Sequence, residues 1–143
     1  KNIDTLLQAR KLFKFNSNKL GDLGNYFGLG TKVQTGGFGL WEQCMAGDNK
    51  AWNKMTPYAK QDTDLLAAVY DEILPWATNL PNLAMYSDQP ENVCPKCGGH
   101  HLTKRGTYVT NTGKYQRLQC QDCGSWSREA KAIKAPKSNI RGI

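Results

Sequence analysis

The sequence predicts an α+β chain, with a mainly helical portion over residues 1–76 and a small β module over 92–128. Three observations carry this. Residues 57–74 repeat apolar side chains at helical spacing. Two Cys-x-x-Cys pairs, Cys94/Cys97 and Cys120/Cys123, bracket a stretch that alternates apolar and polar positions, the period of a strand. Between these lies a Pro- and Asn-rich segment, ATNLPNLAMYSDQPE (77–91), which reads as a linker.

Helical signals follow one another through the first part. IDTLLQARKLF (3–13) has Asp4 or Thr5 as its cap, with Leu6, Leu7, Arg10 and Phe13 at helical spacing. FNSNKLGDLGNYF (15–27) reads as a second, short helix with Ser17 as its N-cap, an apolar stripe of Leu20, Leu23, Tyr26 and Phe27, and Gly28 as its stop. Residues 28–39 hold so many glycines that they must form a loop. The loop lacks the Gly-Lys-Ser/Thr ending of a phosphate cradle, so a hinge or the edge of a site is expected there. LWEQCM (40–45) is a third short helix, in which Cys44 is a small buried hydrophobe. Asp48 caps NKAWNKM, and Thr56-Pro57 starts a new helix, since proline fits the first helical position. That helix runs from Pro57 to Leu74, and Pro75 closes it.

One acid on this helix is out of place. At 100° per residue, Tyr58, Leu65, Leu66, Val69 and Ile73 share one face, while Lys60, Gln61, Asp64, Asp71 and Glu72 lie toward the other. Asp62 falls on the apolar face. A carboxylate there is costly unless it is paired or serves a metal. Periodicity alone leaves both readings open: a rim acid paired with a Lys, an Arg or a backbone donor, or a functional group beside Tyr58.

The cysteines of the last third point to a metal. Each knuckle lets two thiolates reach one ion, and Gly98 and Gly124 permit the tight turn that follows. Four thiolates make a closed tetrahedral zinc site, structural rather than catalytic. A disulfide framework would need an oxidising compartment, and no secretory leader is visible; an iron–sulfur cluster is the other alternative. His100 and His101 are expected in a loop or phosphate-contact role rather than as ligands. HHLTKRGTYVT and KYQRLQC form a β-hairpin about Asn111-Thr112-Gly113, and 92–128 as a whole resembles a zinc ribbon.

Composition sets the partners. The chain has 143 residues, 19 Lys+Arg against 12 Asp+Glu and a net charge of +7. Residues 1–91 hold 9 basic and 10 acidic residues, whereas 92–143 hold 10 and 2, so the excess belongs to the last third. Lys96, Lys104, Arg105, Lys114, Arg117 and Arg128 are the candidate phosphate contacts, which makes nucleic acid, DNA in the first instance, the expected partner. Tyr108, Tyr115 and Trp126 are interleaved with them. Tyr108 and Trp126 either pack within the small ribbon core or stand out to stack on single-stranded bases. Residues 129–143 read as a flexible basic tail. With 39% hydrophobic residues, long-range disorder is excluded. No apolar run is long enough to span a bilayer, so membrane association is not expected and a cytoplasmic location is. The first residue is Lys rather than Met, consistent with a piece of a longer chain.

Tyr58-x-x-x-Asp62 and its surroundings resemble the third motif of the DEDD-type 3′–5′ exonucleases, in the branch that uses tyrosine. The likeness, nearest to phage-encoded members, covers about residues 1–76. IDTLLQARKLF resembles the family's Asp-Thr helix after the second motif, and SNKLGDLGNYFGLGTK its short leucine-, tyrosine- and glycine-bearing helix. LWEQCMAGDNKAWNKMTPYAKQDTDLLAAVYDEILPW resembles the approach to the third motif and the motif helix. The resemblance implies a ribonuclease H-like fold and phosphodiester hydrolysis with two Mg or Mn ions, Asp62 as a metal ligand and Tyr58 positioning the attacking water. The family's Asp-x-Glu first motif and its second-motif Asp are not in this sequence. The chain alone is therefore expected to be inactive, with the missing half supplied by an upstream segment or a complementary chain. The alternative is a non-catalytic zinc-ribbon adaptor for nucleic acid or protein.

Overall fold

The computed structural model describes residues 2–33, 35–88 and 92–135. Among them are four α-helices, α1 (Thr5–Leu12), α2 (Leu20–Tyr26), α3 (Phe38–Met45) and α4 (Asn49–Ile73). These are followed by a short 3-10 helix (Leu83–Tyr86) and three strands, β1 (Leu102–Thr110), β2 (Gly113–Cys120) and β3 (Trp126–Lys134). The fold is thus α+β, in two compact units: Asn2–Ile73, and a second from Leu74 onward. Residues 77–88, expected as a linker, belong to the second unit, where the Leu83 N–H donates to the Pro95 carbonyl at 2.9 Å.

The helical unit is built on α4. Ala9 of α1 and Leu23 of α2 pack on Leu65 and Val69, with Phe15, Leu20, Phe27 and Leu29 around them. A second cluster joins Leu40 and Cys44 of α3 to Ala51 and Met55, with Tyr58 at its edge. The caps explain the turns. Asp4 accepts from Leu7 N–H at 3.0 Å, and Asp48 from Lys50 N–H at 2.8 Å. α2 and α3 end alike: Gly28 (φ +71°) and Gly47 (φ +85°) follow the last turn, and the next N–H groups, of Leu29 and Asp48, reach back to the Gly24 and Gln43 carbonyls.

Three expectations fail here. Thr56-Pro57 does not restart the chain; Pro57 lies inside one continuous helix. Its ring removes one backbone donor, and the apolar face from Ala51 through Ile73 holds the helix together across that loss. Ser17 does not cap α2, which starts three residues later behind Lys19; the Ser17 hydroxyl instead donates to Asp22 and accepts from Lys19 N–H at 3.3 Å. On α4 itself, Leu65, Val69 and Ile73 are buried as expected, but Leu66 is 44% exposed.

The second unit is an antiparallel sheet of order β1-β2-β3. β1 and β2 form the expected hairpin, with Thr110 opposite Gly113. The third strand is a correction. Residues 129–134, expected in a flexible tail, continue β3, which pairs along β2 from Gln119↔Trp126 to Lys114↔Lys134. Trp126, Arg128, Ala130, Ala132 and Lys134 do alternate with Ser127, Glu129, Lys131 and Ile133, but Ala, Glu and Lys are weak strand formers, and only the pairing offered by β2 selects this state. Residues 136–143 of that expected tail lie outside the described residues.

Candidate functional site

The two knuckles fold the same way. Gly98 N–H donates to Cys94 O at 2.9 Å and Gly124 N–H to Cys120 O at 3.0 Å. Cys94 N–H reaches Gly99 O at 2.8 Å and Cys120 N–H reaches Ser125 O at 2.9 Å. Both glycines are left-handed (φ +77° and +73°), so the turn residues expected from sequence are the ones used. The result is that the Sγ atoms of Cys94, Cys97, Cys120 and Cys123 all lie within 4.8 Å of one another and can hold a metal ion.

Their spacing tests the fit. Cys94–Cys123 and Cys97–Cys120 sulfurs are 3.8 and 3.7 Å apart. Four sulfurs about 2.3 Å from a tetrahedral zinc lie about 3.8 Å apart, whereas a disulfide needs about 2.05 Å. The donor set is therefore compatible with zinc, and all five cysteines of the chain are free thiols. Burial pushes Cys97 and Cys120 up, so thiolate formation there needs a compensating cation. Burial acts the same way on Cys94, but hydrogen bonds from Ser125 and from the Cys97 and Lys96 backbone outweigh it and bring this thiol down to about 7.

Second partners surround the sulfurs. Ser125 is buried, its Oγ 3.0 Å from Cys123 Sγ and 3.4 Å from Cys94 Sγ, and Gly99 N–H donates to Cys97 Sγ at 3.4 Å. Sequence reasoning missed Ser125; aligning CPKCGG with CQDCGS would have placed it opposite Gly99. His101 is not among the clustered ligands. Its Nδ1 lies 2.6 Å from Asp122 Oδ1, which raises the imidazole and lowers the carboxyl. A Cβ on Gly99 would sit 2.1 Å from the other Asp122 oxygen, so that carboxylate and a side chain at 99 exclude each other.

The candidate cations do not share one surface. Lys96 turns inward, its Nζ 2.6 Å from Pro75 O and 3.4 Å from Leu74 O, and burial lowers its pKa. Those carbonyls, rather than a phosphate, take its charge. Strand register places Arg117 and Arg128 on one face of the sheet with Tyr108, Tyr115 and Trp126, and Lys104 and Lys114 on the other. Arg105 sits where the β1–β2 register shifts, and its carbonyl accepts from Arg117 Nε at 3.0 Å. Tyr115 is the core residue of the first face, whereas Tyr108 and Trp126 stand half exposed.

On α4, Tyr58 and Asp62 do face the same way, and one cation joins them. Lys32 Nζ, from the glycine-rich loop, is 2.8 Å from Asp62 Oδ2 and donates to Tyr58 Oη at 2.8 Å. Hydrogen bonding to Asp62, then to Tyr58, raises the Lys32 pKa. The Asp62 side chain is 22% exposed, and its Oδ1 is buried with no hydrogen-bond partner among the described residues. Beside Tyr58 a cleft of ≈ 660 Å³ opens between the loop and the helices, lined by Val33, Gly36, Gln43, Lys54 and Gln61 among others. Lys32 was not foreseen, because nothing in the sequence fixes where a glycine-rich loop lies. Asp62 belongs to no cluster of three or more ligating side chains: among the described residues the four cysteines are the one such group. A single acid already paired with a lysine does not fit two Mg or Mn ions.

No protein-family model, curated protein or solved structure matches this chain. No helix among the described residues is long and apolar enough to cross a membrane.

Proposed function

We propose that this chain is the C-terminal part of a 3′–5′ exonuclease of the tyrosine-using DEDD type, on a ribonuclease H-like fold, with a zinc ribbon that binds nucleic acid. The observation that carries this reading is Asp62, with one oxygen buried and without a partner among the described residues, and the phenol of Tyr58 one turn away on the same lysine. The Lys32 pair is what a structural rim acid would show at Oδ2; Oδ1, withdrawn from water at a cost, is the part that pairing leaves unaccounted for. Asp62 and Tyr58 are two members of a phosphodiester-cleaving centre whose other carboxylates lie outside this sequence. The Mg or Mn ions of that chemistry do not fit the residues present, so no catalytic step is assigned to this chain alone. The ribbon's ion is structural zinc, since four thiolates close its coordination shell.

Digestion of a 5′-labelled oligonucleotide with Mg or Mn tests this. The isolated chain is expected to be inactive. In the polypeptide that carries the remaining carboxylates, Asp62→Asn is expected to lower the rate by about a thousandfold or more and Tyr58→Phe by about a hundredfold. Digestion by the isolated chain, or a combined activity indifferent to Asp62→Asn, would overturn the reading. A non-catalytic zinc-ribbon adaptor is the second reading, favoured by the completeness of the four-thiolate site beside an incomplete acidic one.

A further inference from the structure

We infer that Tyr108, Arg117, Trp126 and Arg128 form a stacking site for an unpaired nucleobase, through which the ribbon selects single strands over duplex. This rests on the nucleic-acid reading of the ribbon above. The guanidinium of Arg117 lies 4.3 Å over the Trp126 ring and that of Arg128 3.9 Å over Tyr115. Cations and rings therefore alternate across β2 and β3 on one face.

Burial divides the rings by role. Tyr115 is 8% exposed and anchors the sheet, but Trp126 is 48% and Tyr108 49% exposed. Tyr108, Arg117, Trp126, Ser127 and Arg128 line an open cleft of ≈ 370 Å³, at the small end of ligand sites. None of the five is acidic. Large flat rings left in water beside stacked guanidinium groups suit a ligand that is itself flat and anionic. Arg117 gives its Nε–H to the Arg105 carbonyl, so its Nη end is the part that meets a phosphate. A duplex hides its base faces in its own stack and presents only edges and phosphates, whereas a single strand offers a face and a phosphate together. The occupant follows from charge and shape: ten basic residues against two acidic from position 92 onward select a polyanion, and the rings select one with exposed aromatic faces.

Binding of the zinc-loaded full chain to a short labelled oligothymidylate, and to a duplex of equal length, tests the site by fluorescence anisotropy. Zinc content and far-UV circular dichroism check that each variant is folded. The single strand is expected to bind at least about fivefold more tightly, Trp126→Ala to weaken it by about tenfold while changing duplex binding by less than about twofold, and Trp126→Phe to retain most of the affinity. Equal losses on both ligands, no loss with a folded Trp126→Ala, tighter duplex binding, or better binding of an acidic peptide than of the oligonucleotide would overturn the inference. Steeply salt-dependent nucleic-acid binding indifferent to Trp126 sinks the stacking site alone. Absence of binding to either nucleic acid sinks the ribbon's nucleic-acid role as well.

Discussion

In the helical unit, order comes from apolar side chains gathered around α4 in two small clusters, and much apolar surface is left over: Phe38, Trp41 and Met45 of α3, Leu7 of α1 and Leu66 of α4 are all exposed. Among the described residues of the other unit the largest wholly buried side chains are Cys94, Cys120 and Ser125, all at the candidate metal site. A sheet this small buries little apolar area, so an ion held by the four sulfurs would take the place of a core. The functional groups differ in the same way. The four cysteine sulfurs of one unit make a donor set that could hold a metal, while among the described residues Asp62 and Tyr58 share Lys32.

The largest effect that can sharpen this contrast is loss of a thiolate. Cys120→Ser is expected to abolish tight zinc binding and remove most of the roughly 10 kcal/mol that structural zinc sites contribute, melting the sheet without touching the helices. Zinc stoichiometry and near-UV circular dichroism read this out, and a folded, zinc-free sheet would break the comparison. In the helical unit the matching test is steric. A Cβ at Gly24 would sit 2.5 Å from Gly30 O and 2.9 Å from Leu65 Cδ1, so Gly24→Ala is expected to cost about 1–3 kcal/mol by denaturant unfolding, with zinc content unchanged.

Smaller effects separate the two charged sites. Arg128→Ala is expected to reduce the salt slope of nucleic-acid binding by about 1, whereas Lys96→Ala should leave that slope unchanged because its ammonium serves the Pro75 and Leu74 carbonyls. Equal slopes for both variants would contradict the inward placement of Lys96. The smallest effect is at Lys32. Its raised pKa means that the pair with Asp62 stabilises the fold fully below the ordinary lysine value of about 10.4, and that this contribution is lost as pH climbs through the raised value. Because the Lys32 side chain is 44% exposed, Lys32→Met is expected to cost less than about 1 kcal/mol at neutral pH and nothing extra in strong alkali, measured by denaturant unfolding at both pH values.

Signals written in short, fixed spacings were legible before any coordinates. The Cys-x-x-Cys knuckles with their glycines, the Asp4 and Asp48 caps, the Gly28 stop and the shared face of Tyr58 and Asp62 all depend on residues a few positions apart. What was not legible depends on partners far along the chain. Residues 129–134 become a strand because β2 offers an edge, and Pro57 stays within a helix because its neighbours' apolar face is held from outside. Lys32 comes from 30 residues before Asp62, and Lys96 finds carbonyls 21 and 22 residues behind it. Local pattern carries no information about such encounters.

Hydrogen exchange of the zinc-loaded chain, before and after a strong chelator, tests most directly whether the two units are completed by different means. Protection is expected to vanish across Leu102–Lys134 on metal removal and to persist in α4 at Leu65 through Ile73. Retained protection in the sheet, or its simultaneous loss from α4, would contradict a metal-held ribbon beside an independently packed helical unit.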